Sequence, residues 1–278
     1  MSTPPPSITI RPMISVVTVT RNPGAALGDC LASVAAQEGV TLEHLIIDGG
    51  STDGTVDLLR QWQRHPLSWI SEPDRGISHA FNKGIARASG GLIALLNADD
   101  RLTPGSLARS VQALEATPTA GFAFGHCLHR EGDGRTWLNR ANPRYFAAMR
   151  WFMPDVNHPT MLIRRTAYDQ VGLYDEQWRL AMDYDWLARA EAAGLRGVMV
   201  DAIQAEMAMG GASDRAWRRA YAEARDIAIR HGAPALGAWL DHGLRVGKGT
   251  IRRTLVALGA HRLEHSLRRW RQRRIVGT

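Results

Sequence analysis

Met13–Val19 reads MISVVTV, and this stretch decides the fold. It is apolar throughout and rich in β-branched residues, with no polar alternation, which predicts a strand buried on both faces. Working outward, Leu27–Gln37 has helical spacing, with Leu27, Leu31 and Val34 on one side, and His44–Asp48 is a second strand. Asp53-Gly54-Thr55 opens a helix that runs towards Arg64, and Leu67–Glu72 is a third strand. A helix over Ile77–Ala88 leads to a fourth strand, Leu92–Asn97, and Pro104 starts a helix where its missing N–H costs nothing. Strands alternating with helices of this length predict βαβ units: an α/β fold with a mostly parallel sheet flanked by helices.

Beyond residue 120 the pattern is looser. Ala120–Leu128, Pro159–Ile163 and Gly197–Val200 read as strands, and Arg165–Val171 and Tyr184–Ala193 as helices. Gly210-Gly211 forms a loop before a helix from Ser213 to His231. With no internal repeat or flexible linker, the expected division is a leader (1–12), one domain (13–232) and a helical tail (233–278).

The chain has 278 residues, 45% hydrophobic and 22% charged, which is ample for a core and excludes a disordered chain. Two cysteines, Cys30 and Cys127, are too few for a disulfide framework or a four-thiolate zinc site. The Pro-rich residues Met1–Pro12 lack the apolar stretch of a signal peptide, so a cytoplasmic location is expected. The net charge of +7 is unevenly placed. Arg245–Arg274 holds ten Lys and Arg against one acid, Glu264; setting these aside leaves 24 basic against 26 acidic residues, a net of −2.

Ligands of open α/β sheets bind at the carboxyl ends of the strands. Here those ends are Thr20–Asn22, Asp48–Ser51, Glu72–Gly76 and Asn97–Asp100, all polar. In Asn97-Ala98-Asp99-Asp100, strand alternation puts Asn97 and Asp99 on one side and Asp100 on the other. A carboxylate there can hold a hard divalent ion that bridges to a diphosphate, or it can simply cap the next helix. In Asp48–Thr55 (DGGSTDGT), glycine permits close backbone approach, Asp53 serves as a cap, and Asp48 is left to accept from a base or ribose. Two other motifs are set aside. Gly243–Thr250 (GLRVGKGT) is one residue short of a Walker A loop and follows no strand, and His126-Cys127-Leu128-His129 has no second ligand cluster for zinc.

Taken in order, Ser15–Asn22 (SVVTVTRN), Asp48–Thr55, Glu72–Gly84 (EPDRGISHAFNKG), Leu95–Asp100 (LLNADD), His158-Pro159-Thr160 and Asp183–Leu187 (DYDWL) resemble the family 2 inverting glycosyltransferases. The resemblance covers residues 13–215 and is closest to builders of bacterial exopolysaccharide, O-antigen and related surface glycans. It implies the GT-A, Rossmann-like nucleotide-diphospho-sugar fold and a nucleotide-sugar donor, with UDP the default nucleotide and GDP and dTDP the alternatives. Thr20, Arg21, Asp48, Asp74, Arg75 and Asn82 would serve the donor, with Asn97, Asp99, His158 and the Gly211 loop. Asp99 matches the last carboxylate of the family's Asp-X-Asp motif and would bind Mg²⁺ or Mn²⁺. Asn97 stands where the family usually has Asp, which weakens a hard-cation site without removing it. The family's base lies in a Glu-Asp pair that reads Met182-Asp183 here, which makes Asp183 the candidate base, with capping of the following helix as its structural alternative. Asp185 lies about 200° further round a helix and cannot face the same cleft. A nucleotidyltransferase of similar fold and a non-catalytic glycan- or lipid-binding scaffold are the competing readings. The Arg21–Gly24 segment is a poor phosphate loop for the first, and retention of Asp99 and Asp183 argues against the second.

From Thr250 onward Ile251, Leu255, Leu258, Leu263, Leu267 and Trp270 recur at near-helical intervals among arginines. Such a basic amphipathic helix suits the headgroup plane of a membrane, which would make the protein peripheral on the cytoplasmic face of the inner membrane, near a lipid-linked acceptor. It also suits packing on the catalytic domain or a partner subunit. Nucleic acid is disfavoured, because no stacking platform or nucleic-acid motif accompanies the charge.

Overall fold

The computed structural model describes residues 13–145 and 156–257. The leader and residues 258–278 of the tail, with Leu258, Leu263, Leu267 and Trp270, lie outside the described residues. The first half alternates as its sequence predicts: β1 (Ile14–Thr20), α1 (Ala26–Ala35), β2 (Leu42–Asp48), α2 (Thr55–Gln61), β3 (Ser68–Ser71), α3 (Ile77–Arg87), β4 (Leu92–Asn97), β5 (Arg101–Leu102) and α4 (Ser106–Ala116). There follow β6 (Ala120–Arg130), β7 (Thr136–Asn139), a 3-10 turn (His158–Thr160), β8 (Leu162–Arg164), α5 (Arg165–Val171), α6 (Met182–Ala192) and β9 (Arg196–Ala208). The short α7 (Ala212–Arg215), α8 (Trp217–Arg230) and α9 (Ala235–Ala257) complete the described chain.

One sheet runs in the order β3-β2-β1-β4-β8-β6-β9-β5, with β7 beside β6. The block β3-β2-β1-β4 is parallel throughout. The direction changes where β8 inserts antiparallel to β4 and β6, and β6 and β9 are again parallel. Alternate residues of each strand serve opposite layers, as the pleat requires. Val17, Val19, Ile93 and Leu95 pack with Phe81 of α3 and Trp186 of α6. Ile14, Val16, Ala94 and Leu96 pack on the other side, with Val34 of α1 and with Val111 and Leu114 of α4.

Several sequence expectations shift. The Gly197–Val200 strand is in fact 13 residues long and runs on through Asp201, Gln204 and Glu206 despite their polarity: the first two lie at shifts in register with β6, and Glu206 pairs with Leu128 and Arg101. Pro104 precedes the helix it was expected to start: Gly105, at φ 69°, is the cap and α4 begins at Ser106. The helix expected over Ser213–His231 is broken into α7 and α8. The Gly243–Thr250 stretch lies wholly inside α9.

Candidate active site

The carboxyl ends of β1 and β4 open into a cleft of about 830 Å³. Its near wall carries Thr20, Arg21, Asp74, Asn97, Asp99 and Asp100. The far wall brings His158 from the 3-10 turn, Asp183 from α6, Gly211 and Arg215 from the loop after β9, Trp217 and Tyr221 from α8, and Arg245, Gly249 and Arg253 from α9.

Loop ends at the near wall are laced together. Asn22, at φ 51°, accepts from Thr52 N–H (2.7 Å) while its own N–H donates to Ser51 Oγ (2.7 Å). Asp53 accepts from Thr55 N–H (3.2 Å) and Gly24 N–H (2.9 Å), so it ties the first loop to the start of α2, but the cap residue is Gly54, at φ 89°, and not Asp53 as expected. A Cβ on Gly49 would meet Asp74 Oδ2 at 2.2 Å, so a side chain there would displace the Asp74 carboxylate.

Asn97, Asp99 and Asp100 are not arranged as strand alternation predicted. The strand ends at Asn97 and the chain turns, with Asp100 N–H donating to Asn97 O (3.1 Å). Asp100 is thereby buried next to Asn97, whose Nδ2 lies 3.3 Å from its Oδ2 and 3.1 Å from His158 Nε2. Asp100 also accepts from Ala208 N–H (3.0 Å), which ties β4 to the end of β9. Burial and the charge of Asp99 push its carboxyl up to about 8, and burial pushes His158 down to about 4. Neutral His158 can then accept the Asn97 N–H. Asp99 is left at the cleft wall, its carboxyl raised by burial and held down in part by Arg215 and Arg130.

Asp183 sits in the first turn of α6, where Tyr184 N–H donates to its Oδ1 (2.8 Å). Burial pushes it up to about 6. The segment before it is fixed by Glu223 of α8, whose Oε2 accepts from the N–H groups of Arg179 (3.0 Å), Leu180 (2.8 Å) and Ala181 (3.2 Å). Asp185 turns the other way, as the helical offset requires, to Arg189 (2.8 Å) and His231 (3.2 Å).

Of the residues singled out in the sequence, Thr20, Arg21, Asp74, Asn97, Asp99, His158, Asp183 and Gly211 meet at the cleft. Asp48, Arg75 and Asn82 do not line it. Asp48 is fully buried and accepts from Ser51 N–H (3.0 Å) and Ser71 Oγ (2.6 Å), so it is not spare. Arg75 pairs with Glu176 (2.6 Å), and Asn82 exchanges two hydrogen bonds with the backbone of Tyr174 (2.8 and 3.0 Å). The sequence motifs did not point to Asn157, Glu223, Arg215 or Arg253. Only the last two carried a signal, as cations in or beside the loop and tail already noted. Two buried polar atoms of the cleft, Thr20 Oγ1 and Asn157 Nδ2, have no protein partner.

The mixed α/β sheet of this order, with a strand-end cleft lined by carboxylates, matches the GT-A fold of solved glycosyltransferases. Residues 15–172 match the model of glycosyl transferase family 2, and the chain belongs to that family and is a glycosyltransferase. An uncharacterized glycosyltransferase of Mycobacterium tuberculosis is 31% identical over 188 residues, 66% of this chain and 70% of that one. A PGL/p-HBAD biosynthesis glycosyltransferase of Mycobacterium bovis is 28% identical over 64% of this chain and 69% of its own. Among solved structures, a mannosyltransferase from Pyrobaculum calidifontis in complex with GDP-Man and Mn²⁺ superposes with a TM-score of 0.65. It shares 22% identity and the match covers 90% of this chain and 76% of that one. TarS 1-349 of S. aureus in complex with UDP-GlcNAc gives 0.60 at 16% identity, covering 78% and 66%.

Proposed function

We propose that this glycosyltransferase moves a sugar from a nucleoside-diphospho-sugar to a hydroxyl of a glycan or lipid-linked acceptor, with inversion and with a divalent cation, in cell-surface polysaccharide synthesis. The observation that carries the reading is Asp183: a carboxyl raised to about 6 that lines the same cleft of about 830 Å³ as Asp99. A base of that strength is ionised at neutral pH and basic enough to accept a hydroxyl proton as the acceptor oxygen attacks the anomeric carbon. Attack by an acceptor activated at Asp183, with a diphosphate held at Asp99 departing from the other face of the anomeric carbon, would invert the centre.

Among the described residues no three His, Cys, Asp or Glu side chains converge as a ready metal cage. Asp100 is occupied by Ala208 and Asn97, so Asp99 is the carboxylate left for a cation. One protein carboxylate suits Mg²⁺ or Mn²⁺ that takes its other ligands from diphosphate oxygens and water. Such a cation, when bound, neutralises charge on the leaving nucleoside diphosphate. Arg21, Arg179, Arg215, Arg245 and Arg253 line the same cleft and supply further countercharge to an anionic donor. Thr20 Oγ1 and Asn157 Nδ2 are polar groups that a bound donor would satisfy. Donors of both nucleotide types occur in the structural neighbours, GDP-Man in one and UDP-GlcNAc in the other, so UDP-sugars are tested first and GDP-sugars beside them.

The test is a panel of nucleotide-sugars scored by thermal shift with Mg²⁺, Mn²⁺ or chelator, followed by NMR of the anomeric configuration of the product. One donor should stabilise the protein in a cation-dependent way and give the inverted anomer. No shift with any donor, or a retained anomer, overturns the reading.

A further inference from the structure

Seven large apolar side chains are exposed among the described residues, and five of them, Leu236, Trp239, Leu240, Leu244 and Ile251, belong to α9. At about 100° per residue, Leu236, Leu240, Leu244 and Ile251 fall within an arc of about 80°. Gly243 and Gly247, which add no bulk, lie on the same side. The four apolar residues form one ridge, and each is 60% exposed or more. Trp239 flanks it at 55% exposure, its ring held by the Arg225 guanidinium 3.9 Å from the centroid. The opposite face of α9 is committed to the protein. Ala238 is buried, Gly249 passes so close to Trp217 that a Cβ would meet the ring at 2.7 Å, and Arg253 holds Asp214 at 2.7 Å.

We infer that this outer ridge of α9 docks the enzyme on an anionic lipid bilayer. Apolar patches of this continuity mark an interaction surface, and charge selects the occupant. Apart from Arg245 and Arg253, which face the cleft, the ridge runs into a part of the sequence that carries eight basic residues and one acid from Lys248 to Arg274, whereas the chain outside Arg245–Arg274 nets −2. A second copy would bring an equally basic segment against it and be repelled. An anionic lipid surface attracts those charges and takes up the leucines at the acyl boundary, with Trp239 at headgroup level. No described helix is long and apolar enough to cross a membrane, so α9 lies on the surface. The footprint thus starts at Leu236, ahead of the basic run. Because Arg245, Gly249 and Arg253 line the cleft from the inner face of the same helix, docking brings that wall of the cleft to the lipid.

The full chain is sedimented with phosphatidylcholine vesicles, with and without phosphatidylglycerol, and compared with Leu240→Glu/Leu244→Glu. Wild type should bind only the anionic vesicles, and the double variant should lose about tenfold or more of its partition. Its thermal midpoint and its nucleotide-sugar binding in solution should stay unchanged, which separates this inference from the donor reading. Equal binding of the variant, or equal binding of wild type to neutral vesicles, overturns it. A wild-type dimer in light scattering that the double variant dissociates assigns the ridge to a second copy and overturns it too.

Discussion

The wall that carries Thr20, Arg21 and Asp99 and the wall that carries Asp183, Arg215 and Arg253 face one cleft but are held by different means. The first is the end of a parallel ladder. β1 pairs in continuous register with β2 and β4, every residue of β1 is buried, and the backbone positions its own terminal side chains. The second wall is assembled from segments that share no ladder. Its geometry depends on side chains reaching over backbone: Glu223 over residues 179–181, Arg253 onto Asp214 O at 2.8 Å, and Arg215 onto Gly210 O at 3.0 Å. A site of this kind has one side set by strand register and the other by single side chains. The second side is therefore the more sensitive to point substitutions.

The largest effect expected on either wall is that of Asp183→Asn. Loss of the base should lower transfer by about 10²–10⁴-fold with donor affinity kept. In the wild type the rate should fall about tenfold per pH unit below a midpoint near 6, because protonated Asp183 cannot accept, and should level off above it. Single-turnover rates across pH check both, and an acid limb that persists in the Asn variant would detach it from Asp183.

Next comes Glu223→Ala, which leaves three N–H groups ahead of α6 without their acceptor. A destabilisation of about 2–4 kcal/mol in urea unfolding is expected, with a fall in transfer as Asp183 loses its support. An unchanged midpoint would show that solvent replaces the carboxylate and that the second wall does not depend on it.

A smaller effect belongs to the ladder side. A Cβ on Gly84 of α3 would meet Val17 Cγ1 at 2.1 Å, whereas one on Gly28 of α1 meets nothing within 4 Å. Both changes to Ala gain helix propensity of up to about 1 kcal/mol, but at Gly84 overpacking of about 1–3 kcal/mol outweighs it. Gly84→Ala should therefore lower the thermal midpoint and Gly28→Ala hold or raise it, with transfer changed little in either.

The same contrast explains what could be read in the sequence. Ile14–Val19, His44–Asp48 and Leu92–Leu96 are buried on both faces, so their apolar runs announced strands and the order of motifs announced the near wall. β9 was legible only at Gly197–Val200, since Asp201, Gln204 and Glu206 interrupt its later half, which is held by pairing with β5 and β6. Alternation failed at Asp99-Asp100 because a turn begins one residue after the strand, which periodicity does not register. Asp48, Arg75 and Asn82 matched the motifs, yet Asp48 is tied to Ser51 and Ser71, and the other two to Glu176 and Tyr174, about a hundred residues downstream. Glu223 carried no local signal at all, since its role exists only once α8 lies beside the start of α6. The tail read as a separate basic device from its charge. In the fold its first part is a wall of the cleft, placed there by a glycine, Gly249, that lets α9 approach Trp217.

The most direct test of the two-wall account is calorimetric titration of the nucleotide-sugar donor into wild type, Asp99→Ala and Asp183→Asn, each with Mn²⁺ and with chelator. The account predicts cation-dependent binding in wild type and in Asp183→Asn, and loss of that dependence in Asp99→Ala. Wild-type, cation-dependent binding in Asp99→Ala, or loss of donor binding in Asp183→Asn, would contradict it.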